Sequence, residues 1–371
     1  MLGEESVWEH SNAPGSWYDY DMEFLIGTYT DDSNSRGVYQ IKQDGQGNSL
    51  TCQPVSELIN PSFLVRHPHH PVVYVVCEIG IDPGSQLVGL VRSPSGIWQR
   101  FFERPTLSLD SCHVELSKDA RVLVVSHYSS GSFSLLRLDA DGMPCSEWYF
   151  VDHRTLYQTI RDDVGRHHPR QQAAHVHAAH FIDDRRFAVC DLGTDQVVLY
   201  ALEGAEILSA ERLGIWQLPA ETGPRHAVID FNNAQLFVVA ELSNEVFQLD
   251  LNRPDPGGVM RIGSCLPPDT YGFSEAAEIY LDSTRPALWV SNRGVDSIVR
   301  IGLLGQERGR RQGFRVGPHP RHFWMDEGAL MVASRDDNQV VFTTRDRRGM
   351  PEWERATSVE IPAPVCVLLI D

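Results

Sequence analysis

The chain has 371 residues and a formal net charge of −18, from 32 basic and 50 acidic side chains with histidine counted as neutral. Apolar residues make up 42% and charged residues 22%, which is typical of a folded globular protein and excludes a disordered chain. The acidic balance argues against nucleic acid or an anionic membrane as the main partner, since both require a basic surface. The longest apolar runs, 72–77 and 363–370, are too short to span a bilayer.

The N-terminal residues and the cysteines indicate a reducing compartment. Residues 1–12 are acidic and polar, with neither the basic start nor the apolar stretch of a secretory signal. The seven cysteines are scattered and form no C-x-x-C pair, so the sequence suggests neither a disulfide framework nor a zinc site. We therefore expect a cytoplasmic protein. Residues 1–22 are expected to form an N-terminal arm, followed by a single domain over residues 23–371.

Short β-rich runs recur along the chain in pairs, and each pair is joined by polar, turn-forming residues. In chain order, the first strands end at Thr30, Glu78, Tyr128, Gly193, Leu242, Gly294 and Asp337. The second strands begin at Gly37, Gln86, Ser132, Gln196, Glu245, Ser297 and Gln339. No stretch has a sustained helical period, which argues against an α/β fold.

This unit of strand, turn and strand occurs seven times at a nearly regular interval. The units are separated by 51, 49, 64, 50, 51 and 43 residues when measured between Gly27, Glu78, His127, Asp191, Glu241, Asn292 and Arg335. Such a period predicts an all-β fold, a seven-bladed β-propeller with four-stranded blades around a central channel. We expect residues 364–371 to pair with the strand near Phe24 and close one blade, which hides both edges. A pair of β-sandwiches would also contain many short strands, but without a fixed period.

The longest interval contains a polar, histidine-rich insertion over residues 150–175. Long loops on a propeller usually lie at one mouth of the channel, and such loops often carry function. His175 and His177 alternate on one face of the strand that follows, and this H-x-H pair could ligate a metal. No Asp, Glu or Cys pattern completes a ligand set, so we expect no metal or other cofactor.

Polar residues stand at equivalent positions of successive units, where strands begin or end. Equivalent positions of successive blades converge around one axis, so these residues are predicted to form a ring, a candidate small-molecule site. Its members are His113, His177, Arg225, His226, Glu241, Glu278, Arg293, Arg321, His322 and Arg335. The four arginines would form a positive basin for a carboxylate or phosphate, while His177 and Glu241 could act as general acid or base. Alternatively, arginine–carboxylate pairs simply hold neighbouring blades together.

At these residues the sequence resembles the seven-bladed propeller lactonase family. That family includes propeller-type 6-phosphogluconolactonases and is related to fungal 3-carboxy-cis,cis-muconate lactonizing enzymes. The matching segments run in family order from about residue 23 and include 26–30, 60–64, 112–132, 170–181, 191–200, 223–231, 275–279, 291–298 and 320–323. Two positions depart from the usual pattern. Ala174 replaces a proline, and His127 stands where the family more often has asparagine, so we expect it to alter the channel wall.

The resemblance implies that the protein is a lactonase with four catalytic residues: His177, Arg225, Glu241 and Arg293. The remaining ring members and His175 are expected to bind substrate. The implied reaction is hydrolysis of an anionic sugar-acid lactone, 6-phospho-D-glucono-1,5-lactone, in the pentose phosphate pathway, by a monomer or small homo-oligomer. One alternative is a muconate cycloisomerase that uses the same arginines for carboxylates. Another is a non-catalytic propeller that binds proteins through an exposed apolar face.

Overall fold

The structure, a computed structural model, describes residues 22–43, 49–155, 168–204 and 207–370. The described strands form seven antiparallel sheets of four strands each, as the repeat predicts. The expected arm lies outside the described residues except for Met22, which begins the first strand. None of the helical segments in the described part of the chain has the length and apolar character needed to cross a membrane.

The first four blades follow the chain from its N-terminal strand. Blade 1 contains β1 (Met22–Thr28), β2 (Gly37–Gln43), β3 (Leu50–Glu57) and, as its innermost strand, β28 (Pro364–Leu369). Blade 2 contains β4 (Pro61–Arg66), β5 (Val72–Cys77), β6 (Gln86–Arg92) and β7 (Trp98–Pro105). Blade 3 contains β8 (Ser111–Leu116), β9 (Val122–His127), β10 (Ser132–Arg137) and β11 (Tyr149–Asp152). Blade 4 contains β12 (Val176–Phe181), β13 (Arg186–Asp191), β14 (Gln196–Glu203) and β15 (Ser209–Gln217).

The last three blades repeat the same order of strands from the channel outward. Blade 5 contains β16 (Pro224–Asp230), β17 (Gln235–Ala240), β18 (Glu245–Asp250) and β19 (Val259–Ser264). Blade 6 contains β20 (Glu275–Asp282), β21 (Ala287–Arg293), β22 (Ser297–Gly302) and β23 (Arg311–Arg315). Blade 7 contains β24 (Pro320–Met325), β25 (Ala329–Ser334), β26 (Gln339–Thr344) and β27 (Thr357–Glu360). Short 3-10 helices occupy Pro256–Gly258, Gly305–Glu307 and Trp353–Arg355.

The ring of blades is closed by the two ends of the described chain. The C-terminal strand β28 pairs with β1, with Phe24 opposite Leu369 and Ile26 opposite Val367, which confirms the predicted closure. Each innermost strand contacts the innermost strands of the two neighbouring blades, and β28 contacts both β24 and β4. A closed ring leaves no inner edge that could pair with another chain.

Buried apolar side chains fill the space between neighbouring blades. Within the described residues they form seven clusters, and each cluster joins two adjacent blades. Between blades 4 and 5, for example, Trp216 and Leu199 share a cluster with Val238 and Phe247. Burying one such side chain contributes roughly 1.5–3 kcal/mol relative to leaving it exposed. The fold is therefore held by blade-to-blade packing, and the channel is free to hold polar groups.

A bulge near the start of the innermost strands turns particular side chains toward one channel mouth. Pairing with the second strand skips Ser62 in β4, Cys112 in β8, His177 in β12, Arg225 in β16 and Arg321 in β24. In β20 the irregularity covers Ala277 and Glu278. A β-bulge leaves one residue unpaired and re-aims its side chain. Four of these skipped residues belong to the predicted ring.

The insertion lies at the same end of the propeller as these bulges. It connects β11 to β12, so its described residues, 153–155 and 168–175, stand where the innermost strands begin. The second strands of the blades end here as well, because each runs antiparallel to its innermost strand. This end, called the site mouth below, therefore collects strand ends, bulges and the longest loop of the chain.

Candidate active site

A buried glutamate forms the centre of the site mouth. Glu241 follows the last residue of β17 and its side chain is 0% exposed. Its Oε1 forms an ion pair with Nη2 of Arg293 at 2.9 Å and contacts Nη1 of Arg170. Its Oε2 accepts a hydrogen bond from Nη1 of Arg225 at 2.8 Å. A carboxylate shut away from water is stable only with partners of opposite charge, and here three guanidiniums provide them.

Two of these arginines are also fixed by backbone carbonyls of blade 6. Arg225 donates from Nε to the carbonyl of Ala277 at 3.1 Å, and Arg293 donates from Nη2 to the carbonyl of Ala276 at 3.1 Å. Both residues are nearly buried, with side-chain exposures of 4% and 6%. Because the anchors are backbone atoms of a strand, the guanidiniums are held in place before any ligand arrives. Such pre-organised donors are what electrostatic stabilisation of a transition state requires.

His177 completes the group and its tautomer follows from its neighbour. Its Nε2 contacts Nη1 of Arg225 and lies 3.9 Å from Oε2 of Glu241. A guanidinium only donates, so Nε2 accepts and the ring proton resides on Nδ1. That Nδ1 is buried and has no hydrogen-bond partner among the described residues.

The electrostatic environment of Glu241, His177 and Arg293 determines which of them are charged at neutral pH. Burial acts to raise the pKa of Glu241, but the surrounding guanidiniums, Arg293 foremost, hold that pKa well below its usual value. Burial, and then the charge of Arg225, lower the pKa of His177 well below 6.5. Burial lowers the pKa of Arg293 to about 10. At neutral pH the site therefore contains an ionised carboxylate, a neutral imidazole and charged guanidiniums.

The described end of the insertion is held firmly over blade 4. The backbone N–H of His175 donates to Oδ1 of Asp191 at 2.9 Å, and Nε2 of Gln171 donates to the carbonyl of Leu192 at 2.7 Å. Gly193 is required here, because a Cβ at this position would lie 1.8 Å from the carbonyl oxygen of Ala173. The D-L-G-T turn at residues 191–194 thus packs against the end of the insertion and holds it in place.

Arg170, from the insertion, is a site residue that the repeat did not reveal. Its Nη1 contacts Glu241 and donates to Oε1 of Glu275 at 2.7 Å, and its Nη2 donates to the hydroxyl of Tyr128 at 3.0 Å. Tyr128 in turn stacks on the ring of His175, with ring centroids 4.4 Å apart. The signals available in the sequence were modest: Arg170 begins a family-matching segment, Tyr128 ends a strand and Glu275 begins one. His175 is thus placed beside the catalytic candidates through Tyr128.

Four other ring members form a second layer around Phe63, which meets the first where the ring of His226 lies 5.2 Å from that of His177. The centroids of the His113, His226 and His322 rings lie 4.4, 5.8 and 5.7 Å from that of Phe63. Glu278 Oε2 lies 3.0 Å from Nδ1 of His226 and 3.5 Å from Nε2 of His322. Burial lowers the pKa of all three histidines. None of the four has a described ion pair or hydrogen bond with Glu241, so the predicted single ring is two layers.

Arg321 and Arg335 lie on another side of the site mouth. Arg321 is 14% exposed, with Nη2 3.7 Å from Oε2 of Glu78, and its guanidinium lies 5.1 Å from the ring centroid of Tyr29. Arg335 is 33% exposed and donates from Nε to Asp336 at 2.6 Å. These arginines lie beside carboxylates, which neutralise part of their charge. The positive basin for an anion stays a prediction.

His127 does not line the channel, contrary to expectation. Its Nδ1 hydrogen-bonds with the hydroxyl of Ser111 at 2.8 Å and its Nε2 with that of Ser134 at 2.9 Å, both inside blade 3. Its side chain is fully buried, and burial lowers its pKa to about 3. A neutral histidine between two serines satisfies both ring nitrogens, so this departure from the family pattern changes the blade interior and leaves the channel wall unaltered.

One group of metal-ligand type occurs among the described residues: His113, Glu115 and His180, with candidate ligand atoms within 4.8 Å of one another. His180 is already committed on both nitrogens. Its Nε2 accepts the backbone N–H of Ala227 at 3.1 Å, so Nδ1 carries the proton and donates to Glu115 at 2.9 Å. A metal at Nδ1 would require the opposite tautomer. His180 and Glu115 are therefore joined by a hydrogen bond, whereas Nδ1 of His113 is buried without a hydrogen-bond partner among the described residues. The H-x-H pair, His175 and His177, does not belong to this trio.

Comparison with known proteins agrees with this geometry. The family model for lactonases with a seven-bladed β-propeller matches residues 23–369. The chain belongs to the seven-bladed β-propeller lactonase family. A member of this family is expected to act on a small lactone. The chain is 25% identical over 352 residues to the 6-phosphogluconolactonase of Bacillus subtilis, covering 92% of this chain and 96% of that relative.

Solved structures extend the likeness to the whole propeller. A periplasmic gluconolactonase of Pseudomonas aeruginosa is 26% identical with a TM-score of 0.81, covering 95% of this lactonase-family chain and 99% of that one. A protein from Lactobacillus plantarum is 23% identical with a TM-score of 0.78, covering 95% of this chain and 100% of that one, and shows the shared fold.

Proposed function

We propose that the protein hydrolyses a sugar-acid lactone at the site mouth, with His177, Arg225, Glu241 and Arg293 as its catalytic residues. The observation that supports this most is the contact of a neutral imidazole with a buried carboxylate–guanidinium group in a lactonase-family propeller. Lactone opening needs a base for water, donors for the oxyanion and an acid for the leaving oxygen. The group contains candidates for each task.

In this proposal His177 is the proton carrier and Glu241 is not. The pKa of Glu241 is too low for it to hold a proton near neutrality. Burial and Arg225 lower the pKa of His177 as well, but its lone pair is on Nε2, which can accept a proton once Arg225 turns from it to the substrate. A proton moves from water to Nε2 as the water oxygen bonds to the lactone carbonyl carbon. The bond from that carbon to the ring oxygen then breaks, and the ring oxygen takes the proton back from Nε2. Such acid–base assistance contributes roughly 100- to 10,000-fold.

Arg225 and Arg293 would stabilise the developing oxyanion by donating hydrogen bonds to it. Arg225 contacts Nε2 of His177 in the free protein, so turning its Nη1 toward a substrate oxygen would also free the base. The negative charge of the intermediate would then raise the pKa of the neighbouring imidazole, which favours proton acceptance. One pre-organised donor of this kind contributes roughly 3–4 kcal/mol. Glu241 keeps the guanidiniums in position and stabilises the imidazolium.

We further propose that the substrate is 6-phospho-D-glucono-1,5-lactone. The protein would then act in the pentose phosphate pathway, in the cytoplasm. The activity named for the Bacillus subtilis relative supports the substrate. The cytoplasmic location is supported by the seven cysteines, which are scattered along the sequence and all unpaired in the structure.

The test is hydrolysis of this lactone by purified protein, measured against its spontaneous opening with EDTA present. We expect a clear acceleration that EDTA does not change and that Arg293→Ala abolishes. Acceleration that survives in Arg293→Ala would contradict the placement of the site. A protein that instead acts on 3-carboxy-cis,cis-muconate would be a lactonizing enzyme, and one inactive on every lactone and muconate offered would contradict an enzymatic function.

A further inference from the structure

The arginines at the site mouth differ in how fully the protein itself uses them. Arg225 donates to Glu241 and to a backbone carbonyl. Arg293 forms an ion pair with Glu241 and also donates to a backbone carbonyl. Arg170 donates to Glu275 and Tyr128, and Arg335 donates to Asp336. A guanidinium has five N–H donors, and a buried one without acceptors has lost hydration without replacement. The least satisfied arginine is therefore the one most available to a ligand.

Arg321 is that arginine. Throughout residues 22–43, 49–155, 168–204 and 207–370 its guanidinium donates no hydrogen bond, although its side chain is only 14% exposed. Its nearest carboxylate oxygen, on Glu78, is 3.7 Å away and already accepts the hydroxyl of Tyr29 at 2.8 Å. Arg321 instead lies over the Tyr29 ring, a contact that leaves the N–H edges of its planar guanidinium free.

A second polar atom without a partner belongs to His319, two residues before Arg321. The Nε2 of His319 is buried and has no hydrogen-bond partner in the described structure. The backbone N–H of His319 donates to Oδ1 of Asp296 at 2.9 Å, and its carbonyl accepts from the N–H of Arg335, so the segment is fixed at both ends. After burial, the charges of Arg335, Arg293 and Arg321 act on this ring and lower its pKa. The carboxylate of Asp336, with Oδ2 3.7 Å from Nδ1 of His319, acts in the opposite direction. The imidazole thus lies among three guanidiniums and one carboxylate.

We propose that Arg321 and His319 form a subsite for a second anionic group of the substrate, a phosphate monoester remote from the lactone carbonyl. This inference rests on the proposed function. The arginines therefore have different functions: those bound to Glu241 interact with the reacting carbonyl, and Arg321 binds the phosphate at the other end of the substrate. A bidentate guanidinium matches the geometry of phosphate oxygens. In the tautomer that carries its proton on Nε2, the neutral imidazole of His319 adds one N–H donor beside it.

The surrounding charges indicate on which side of Arg321 the phosphate lies. A cavity of about 580 Å³ opens beyond Glu78 and Tyr29, and its lining includes Asp31, Asp110 and Asp336. These carboxylates would repel a phosphate dianion. Near His319, the charges of Arg335, Arg293 and Arg321 outnumber the one carboxylate of Asp336. Arg293 also pairs with Glu241, so one sugar lactone could contact both the reacting group and this side of Arg321.

The experiment compares two lactones that differ only in the phosphate: 6-phosphoglucono-1,5-lactone and glucono-1,5-lactone. In wild-type protein we expect the larger kcat/KM for the phosphorylated lactone. Arg321→Gln should lower the ratio of the two kcat/KM values by about 10- to 100-fold, mainly through KM. Arg321→Lys should recover part of it. Arg261→Gln, an exposed arginine on the outer strand of blade 5, is the matched control and should leave the ratio unchanged.

The outcomes separate this inference from the proposed function. Wild-type protein that hydrolyses neither lactone contradicts the function itself. A wild-type protein with equal kcat/KM values, or an Arg321→Gln variant that loses both lactones in proportion, overturns only the subsite. If Arg321→Gln does not fold, His319→Gln decides, with a ratio about 3- to 10-fold lower expected and an unchanged ratio overturning the subsite. Inorganic phosphate should inhibit wild-type protein competitively and His319→Gln more weakly.

Discussion

The two layers of the channel differ in chemistry although they arise from neighbouring positions. Around Glu241 the side chains are charged and paired, with a carboxylate shared by three guanidiniums. Around Phe63 the side chains are histidines in contact with an aromatic ring and a single carboxylate. Both layers are largely buried. The first keeps its charges at neutral pH, whereas burial keeps most of the second neutral.

A step of one residue along an innermost strand changes the layer. Arg225 sits in the bulge of β16 and contacts Glu241, whereas the next residue, His226, contacts Glu278. Arg321 and His322 repeat this relation in β24. The bulge is therefore the device that lets two successive side chains serve the same channel at two levels. A regular strand would place them on opposite faces.

The largest expected effect falls on the charged layer. Replacing His177 with Gln removes the proton carrier and should lower kcat by roughly 100- to 10,000-fold, with little change in the melting temperature. The assay is lactone hydrolysis above the spontaneous rate, with a thermal melt of the same sample. The matched substitution in the other layer, His226→Asn, should change kcat by less than about 3-fold. Equal losses in both variants would contradict the division into two layers.

Glu241→Gln should behave differently from His177→Gln. A purely catalytic role for Glu241 would predict lost activity with an intact fold. The structure leads us to expect lost stability as well, because three guanidiniums would remain buried around a neutral amide. Removing one partner of a buried ion pair costs about 3–5 kcal/mol. Chemical denaturation measures this directly, and a variant as stable as wild type would show that water or an anion replaces the carboxylate.

The sequence predicted the features that recur in every blade and missed those that occur in one blade only. The seven blades, the closure by β28 and the position of Glu241 all follow from a regular interval, because equivalent positions of a propeller meet at one axis. Arg170 comes from the insertion and has no counterpart in other blades. The separation into two layers was also hidden, since it depends on bulges that no residue pattern marks. His127 was misplaced because a strand end reveals nothing about which hydroxyls lie nearby.

A smaller effect is expected where the insertion contacts the charged layer. Arg170→Gln removes the contact to Glu241 and the hydrogen bonds to Glu275 and Tyr128. Glu241 keeps its other two arginines, so we expect kcat to fall by about 10-fold, equivalent to roughly 1.4 kcal/mol. As a positioning residue, Arg170 should also move the acid limb of the kcat profile upward, because one less cation raises the pKa of His177. An unchanged pH profile would make its role purely structural.

The exposed arginine at the start of the insertion is the control for this effect. Arg154 is 68% exposed and pairs with Asp152 on the same segment. Arg154→Gln should leave both kcat and the pH profile unchanged, since exposed ion pairs contribute little. If Arg154→Gln and Arg170→Gln act alike, the effect belongs to the insertion as a whole and not to the guanidinium on Glu241.

The smallest expected effect is on the pH dependence of stability, which differs between the two layers. Burial holds the pKa values of His113 and His226 well below 6.5, so below that pH the unfolded chain binds more protons than the folded one. The free energy of unfolding should therefore fall as pH decreases below about 6.5, by up to roughly 1.4 kcal/mol per pH unit for each histidine. The pKa of Glu241 is also lowered, so its contribution is present above its unfolded value and is lost only at more acidic pH. Urea unfolding should be measured between pH 7.5 and 5.5. The free energy of unfolding should depend less steeply on pH in the double variant His113→Asn/His226→Asn than in wild type. Identical pH dependences would contradict neutral histidines in the layer around Phe63.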